Sequence, residues 1–113
     1  MNPKDLIKNY HQRTINSNHY TKEGDEHFTM KGKVLKKFAD NGWSVMTECN
    51  FYKGRADVVA WIWDKYNKDY IFQIIEILHS EKEKNIEIKK TYYPKGIIIR
   101  NVKTSDDLRL FDI

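Results

Sequence analysis

Cysteine is nearly absent from this chain, with Cys49 the only one in 113 residues. That excludes an intrachain disulfide and a cysteine-built zinc site. Cys49 sits in a strand-like stretch with no motif around it, so it reads as a small buried apolar residue rather than a nucleophile. Long apolar runs are missing too. No stretch approaches the length of a bilayer span, and residues 1–20 lack the apolar centre of a signal peptide. The expectation is an intracellular, cytoplasmic protein with no membrane partner. The chain has no internal repeat and no low-complexity segment. Its four histidines, His11, His19, His27 and His79, show no spacing that would select zinc.

What is present fits one folded domain. At 113 residues the chain builds a single core with little mass to spare. A hydrophobic share of 40% with 13% aromatics supports folding, and 32% charged residues suits the large surface fraction of a small protein. Lysine and arginine outnumber aspartate and glutamate by 20 to 16, and the isoelectric point is near 9.1. That balance favours a polyanionic partner through counterion release.

Residues 1–23 are polar and weakly periodic, which predicts a short helix over 5–11 and then a mobile arm. The folded domain is expected over 24–113. An amphipathic helix is predicted over 25–41: Phe28, Lys31, Val34, Leu35 and Phe38 recur at three- and four-residue spacing, Asp25 suits the N-cap and Gly42 the C′ position. Alternation then predicts strands over 43–52, 55–63 and 70–78 as an antiparallel meander. Ser80-Glu81-Lys82-Glu83 is a capping box, so a helix should run over 80–92 until Pro94 and Gly96 end it. The apolar run over 96–102 reads as a buried strand reached by a crossover, and 105–111 as a last short helix. The expected class is α/β or α+β, in the order αβββαβ, with a mixed central sheet flanked by helices.

Two residues interrupt those apolar strands. Asp57 lies in Gly54-Arg55-Ala56-Asp57-Val58-Val59-Ala60, and Glu76 in Ile71-Phe72-Gln73-Ile74-Ile75-Glu76-Ile77-Leu78. An acid inside such a strand is costly to bury unless it is paired or binds a metal. Acids on consecutive strands can face one site and hold a hard divalent cation through oxygen, the arrangement that phosphodiester hydrolysis uses. Such neighbours should repel, so Asp57→Asn is expected to hold or raise stability.

The element order, with Gly-Arg-Ala-Asp followed on the next strand by Glu-Ile-Leu, resembles the PD-(D/E)xK nuclease superfamily, which includes restriction endonucleases, archaeal Holliday junction resolvases and small viral nucleases. The resemblance covers 26–102. It implies a restriction-endonuclease-like core and a Mg²⁺ or Mn²⁺ site on Asp57 and Glu76, completed by Glu26 of the first helix. It also implies hydrolysis of DNA, of branched or single-stranded form, by a homodimer of the kind related resolvases form. Glu26, His27, Lys31, Glu48, Arg55, Asp57, Glu76 and Ser80 together resemble the pattern of a competence-associated nuclease-like subgroup. One position departs from the superfamily: its motif lysine, two residues after the second acid, is Leu78 here. Lys82, in the first turn of the following helix, is the first choice to replace it, with Lys31 and Lys89 as further candidates. The alternative to an enzyme is a nuclease-fold protein that binds nucleic acid or acts in assembly without cleaving it.

Lys53, Arg55, Lys84, Lys89 and Lys90 are the expected phosphate contacts, which position a strand without reading its sequence. Each of these readings has a plainer counterpart. Asp57 can pair with Arg55 or Lys53, Glu76 can face solvent at a strand end, and Glu26 can serve the helix dipole. Glu48 either lines the pocket or faces solvent, and His27 is either a phosphate contact or a surface residue. Trp43, Trp61 and Trp63 either stack on bases or fill the core, and alternating strands favour the core. The aromatic stretch 60–63 also carries more apolar surface than one core needs, a second argument for a dimer.

Overall fold

The computed structural model describes residues 1–10, 24–51, 54–78, 91 and 93–113. Within them the chain forms helix α1 (Pro3–Leu6), helix α2 (Asp25–Asp40), strands β1 (Ser44–Asn50), β2 (Arg55–Asp64), β3 (Asp69–Leu78) and β4 (Ile98–Lys103), and a 3₁₀ turn over Leu108–Leu110. It is a small α+β protein whose four strands lie in the order β1-β2-β3-β4. β1, β2 and β3 pair antiparallel, as the meander predicts, and β4 joins β3 in parallel, as a crossover requires. The helix expected over 80–92 lies outside the described residues except for Thr91.

α2 forms where the periodicity places it, with Asp25 and Glu26 in the first turn beside the positive end of the dipole. Its N-cap is Gly24, not the expected Asp25, and no side chain caps the end. The helix stops as expected at Gly42, whose φ of +85° is the left-handed conformation that closes a helix. Its buried seam is Met30, Lys31, Val34 and Phe38, with Met30 taking the inward place assigned to Phe28.

The central strands feed two cores. Val58, Ala60, Ile75, Ile77 and Val102 meet Met30, Val34 and Phe38 of α2. On the other face, Val59, Trp61, Phe72 and Ile74 meet Leu6 and Ile7 at the end of α1, together with Tyr93. The first residues thus pack onto the sheet, and the arm expected after residue 11 lies outside the described residues. Pro3 occupies the first turn of α1 and Asn2 caps it, which starts that helix earlier than expected and shortens it. Lys8 N–H then donates to Asn50 O at 2.9 Å, laying 7–9 along the outer edge of β1.

Other expectations shift as well. The last helix is reduced to the 3₁₀ turn, whose neighbour Phe111 packs edge-on against Phe38, ring centroids 6.1 Å apart. Ala60 and Trp61 are absorbed by the cores, so the surplus apolar surface expected over 60–63 narrows to Trp63, which is 53% exposed. No helix among the described residues is long and apolar enough to cross a membrane.

Phe38 is fully buried and stacks edge-on against both Trp43 and Phe111. Phe38→Ala should lower stability by about 3–5 kcal/mol through lost burial and the cavity left behind. Urea unfolding reads this as a lower midpoint at an unchanged slope.

Candidate functional site

The sheet splits at one end. β2 pairs with β3 from Asp64↔Asp69 only as far as Val58↔Ile75. β2 nevertheless stays with β1 down to Asn50↔Arg55, and β3 stays with β4 up to Leu78↔Lys103. Two strand pairs therefore diverge, and Asp57 and Glu76 are the first residues past the fork, one on each arm. Ile77 N–H, beyond the last β2–β3 pair, donates instead to Asp57 Oδ2 at 2.9 Å.

β1 is irregular at the same level. Glu48 has φ +52°, a left-handed conformation that is strained for a residue with a Cβ. Thr47↔Val58 and Cys49↔Ala56 flank it in the ladder. Regular alternation would put Met46 and Cys49 on opposite faces, yet both join the α1-side core, as do Ala56 and Val59 on β2. The Asn9 side chain spans the irregularity, with Nδ2 donating to Glu48 O at 3.0 Å and Oδ1 accepting from Asn50 N–H at 2.7 Å.

Four side chains meet at the fork. Asp57 lies within hydrogen-bonding reach of Glu76, and His27 Nε2 of α2 is 3.6 Å from Asp57 Oδ2. Glu76 is buried, and Tyr93 O–H donates to its Oε1. Tyr93 also reaches Arg55 O at 3.3 Å, so one phenol bridges the two diverging strands. Burial pushes the Asp57 carboxyl up, but the neighbouring His27, the hydrogen bond from the Ile77 N–H and the contact with Glu76 outweigh it and hold it below the usual aspartate value. Burial pushes the Tyr93 phenol up, and its hydrogen bond to Glu76 and the charges of Glu76 and Asp57 push the same way. It therefore stays a donor.

Beside this group lies an ionic bridge. Lys31, 1% exposed, reaches from α2 to Glu48 Oε1 at 2.6 Å, while Arg55 Nε contacts Glu48 Oε2 at 3.0 Å. Glu48 therefore lines the site and does not face bulk water. Arg55 is half-exposed at its mouth. The Glu48 charge and, above all, burial raise the Cys49 thiol to about 12, which leaves it protonated and inert, as expected.

Asp57 and Glu76 are thus brought together, with His27 beside them. Glu26, one residue earlier on α2, is exposed and lines a separate pocket with Thr29, Lys33 and Thr104. Successive helical residues point about 100° apart, so the turn that aims His27 at the sheet aims Glu26 away from it. Leu78 is 5% exposed and belongs to the interior. Lys53, Lys82, Lys84, Lys89 and Lys90 lie outside the described residues. Sequence reasoning missed Tyr93, which enters from a distant loop with no local motif. For His27, its place next to Glu26 on the sheet-facing side of a predicted helix was a usable signal.

Among the described residues, no set of three or more histidine, cysteine, aspartate or glutamate side chains is grouped as a metal cage. Two adjoining carboxylates do suit Mg²⁺ chemically, because that ion takes one or two carboxylates and keeps several waters. Comparison of the chain with protein-family models, with curated proteins and with solved structures matches nothing.

The donors around Asp57 reverse the expectation that Asp57→Asn holds or gains stability. Because its folded value lies below the ordinary one of about 4, the ionised carboxylate contributes stability that is complete above that pH and is lost as pH falls through the folded value. Asp57→Asn should be less stable than the parent at neutral pH, with the gap closing below about pH 4. Urea midpoints measured across that range test it. A gap independent of pH would mean that Asp57 is protonated in the fold.

Proposed function

We propose that this chain is a metal-dependent phosphodiesterase of the PD-(D/E)xK type, acting on DNA. The observation that carries the reading is the meeting of Asp57 and Glu76 where β2 and β3 part. A fork of this kind leaves carboxylates clear of the ladder and still fixed by it. Mg²⁺ or Mn²⁺ bound there supplies a lowered water pKa and neutralises charge on the scissile phosphate. The protein's own part is orientation. The Ile77 N–H and His27 fix Asp57, Tyr93 aims Glu76, and Glu48 holds the Arg55 guanidinium at the mouth, where it meets a phosphate. Lys82 is the assigned replacement for the motif lysine, since Lys31 is committed to Glu48.

One observation favours a second reading. Leu78 is an uncharged interior residue where the motif lysine belongs, so the fork can serve a protein that binds DNA without cleaving it. Cleavage of both strands of a branched substrate needs two forks, so the proposed working unit is a homodimer, which light scattering at high protein concentration checks.

Plasmid, single-stranded and four-way-junction DNA incubated with Mg²⁺ or Mn²⁺ should be cut by the parent and not by Asp57→Ala. Lys82→Ala should slow cleavage far more than it weakens DNA binding. Calorimetric Mn²⁺ affinity should fall at least about tenfold in Asp57→Asn and Glu76→Gln. A parent that binds Mn²⁺ and DNA yet never cuts identifies the second reading, and a parent that does not bind Mn²⁺ removes the first.

A further inference from the structure

The opposite end of the sheet carries a different chemistry. Trp63 and Tyr70 face each other across the β2–β3 hairpin, ring centroids 5.1 Å apart and nearly perpendicular. They end a ladder of rings that continues through Tyr70–Phe72 at 6.2 Å and Phe72–Trp61 at 6.4 Å into the α1-side core. Exposure rises along it from 6% at Phe72 to 53% at Trp63. At the hairpin tip Tyr66 is 87% exposed, with Lys65 Nζ 5.6 Å from its ring centre. A pocket of about 280 Å³ opens beside Tyr70 and Phe72, with Lys95 and Ile97 on its wall. Clipping a hairpin requires ring contact only. Here the outermost side chains, Trp63 and Tyr66, remain exposed.

The charge around these rings is mainly positive, with three lysines against the carboxylates of Asp64 and Asp69. Asp64 is taken up inside the turn, accepting from the N–H groups of Tyr66 and Asn67 and from the Asn67 amide. Asp69 is taken up by the Met1 ammonium and the Tyr70 N–H. Lys65, Lys68 and Lys95 are exposed and make no ion pair with a described residue. Solvent-facing rings beside uncompensated ammonium groups match the two faces of a single strand of nucleic acid, flat bases and anionic backbone. A duplex hides its bases and offers these rings nothing to stack on.

We propose that the β2–β3 hairpin tip is a second binding site, for single-stranded nucleic acid, in which Trp63 and Tyr66 stack on bases and Lys65, Lys68 and Lys95 hold the phosphates. It lies about 20 Å along β2 from Asp57. It stands apart from the acid fork, so its test needs neither metal nor cleavage.

The test is fluorescence anisotropy of the full chain with a labelled oligothymidine of about twelve nucleotides in a metal chelator, beside a duplex of matched length. Trp63→Leu, which keeps bulk but loses the aromatic face, should weaken single-strand binding about tenfold, while Trp63→Phe keeps most of it. Lys65→Glu/Lys68→Glu, on the exposed turn, should weaken it comparably and flatten its salt dependence. Trp63→Leu should leave duplex binding unchanged. Thermal unfolding confirms that each variant is folded, and the turn-lysine variant stands in if Trp63→Leu is not. Parental affinity in Trp63→Leu and in the lysine variant overturns the proposal, as does no single-strand binding by the parent. Loss of self-association in Trp63→Leu with unchanged oligonucleotide binding makes the patch a protein interface and overturns it as well.

Discussion

The hydrogen bond from Ile77 N–H to the Asp57 carboxylate is the constraint on which the acid end of this protein depends. A backbone donor inside a sheet must find a partner, and here a side chain supplies it where the ladder stops. Once Asp57 fills that role, β2 need not follow β3 further, and the strands can part without leaving a buried N–H unpaired. The same bond fixes the carboxylate beside Glu76. The split in the sheet and the position of the acids are thus one event.

Keeping two carboxylates there requires support on both faces. α2 supplies His27 on one side and the Tyr93 loop supplies a phenol on the other. Tyr93 also touches the β2 carbonyl at Arg55, so it ties the arms together and sets how far they diverge. The Lys31–Glu48–Arg55 bridge works differently. An ion pair this buried contributes little net stability, because desolvation offsets most of its attraction. Glu48 is moreover held in a strained backbone conformation by a dedicated Asn9 side chain. Strain that neighbours maintain at such a cost belongs with the placement of Arg55 rather than with stability.

Much of the fold was legible because its signals are local. α2 follows from a 3.6-residue apolar period, the strands from alternation, and the antiparallel meander followed by a parallel strand from the lengths of the connections. Asp57 and Glu76 were legible because each is an acid inside an apolar strand. What escaped was non-local. Nothing in Val58 or Ile75 announces that their pairing is the last between β2 and β3, since that follows from how the arms are bridged. Tyr93 and Asn9 act through contacts far away in the chain, and Glu48 breaks alternation without glycine or proline to mark it. Glu26 was placed by likeness, and one step of helical rotation gave its position to His27. Leu6 and Ile7 stood in a polar stretch too short to show a period, although they complete one of the two cores.

The formal charge of +4 is not spread evenly between the two ends of the sheet. The acids near the fork are held inward, Asp57 by Ile77 and His27, Glu76 by Tyr93, and Glu48 by Lys31 and Arg55, whereas others, such as Asp5, Asp25 and Glu26, are exposed. Glu48 meets the full positive charges of Lys31 and Arg55, but Glu76 is held by a neutral phenol, so the fork stays acidic, while Lys65, Lys68 and Lys95 are exposed at the other end of the sheet with no ion pair to a described residue. A polyanion approaching the hairpin tip therefore meets those lysines first, and meets the fork carboxylates only at the opposite end. On the proposed function, that separation is what lets one small domain attract nucleic acid at one end and keep an acidic fork, suited to a divalent cation, at the other.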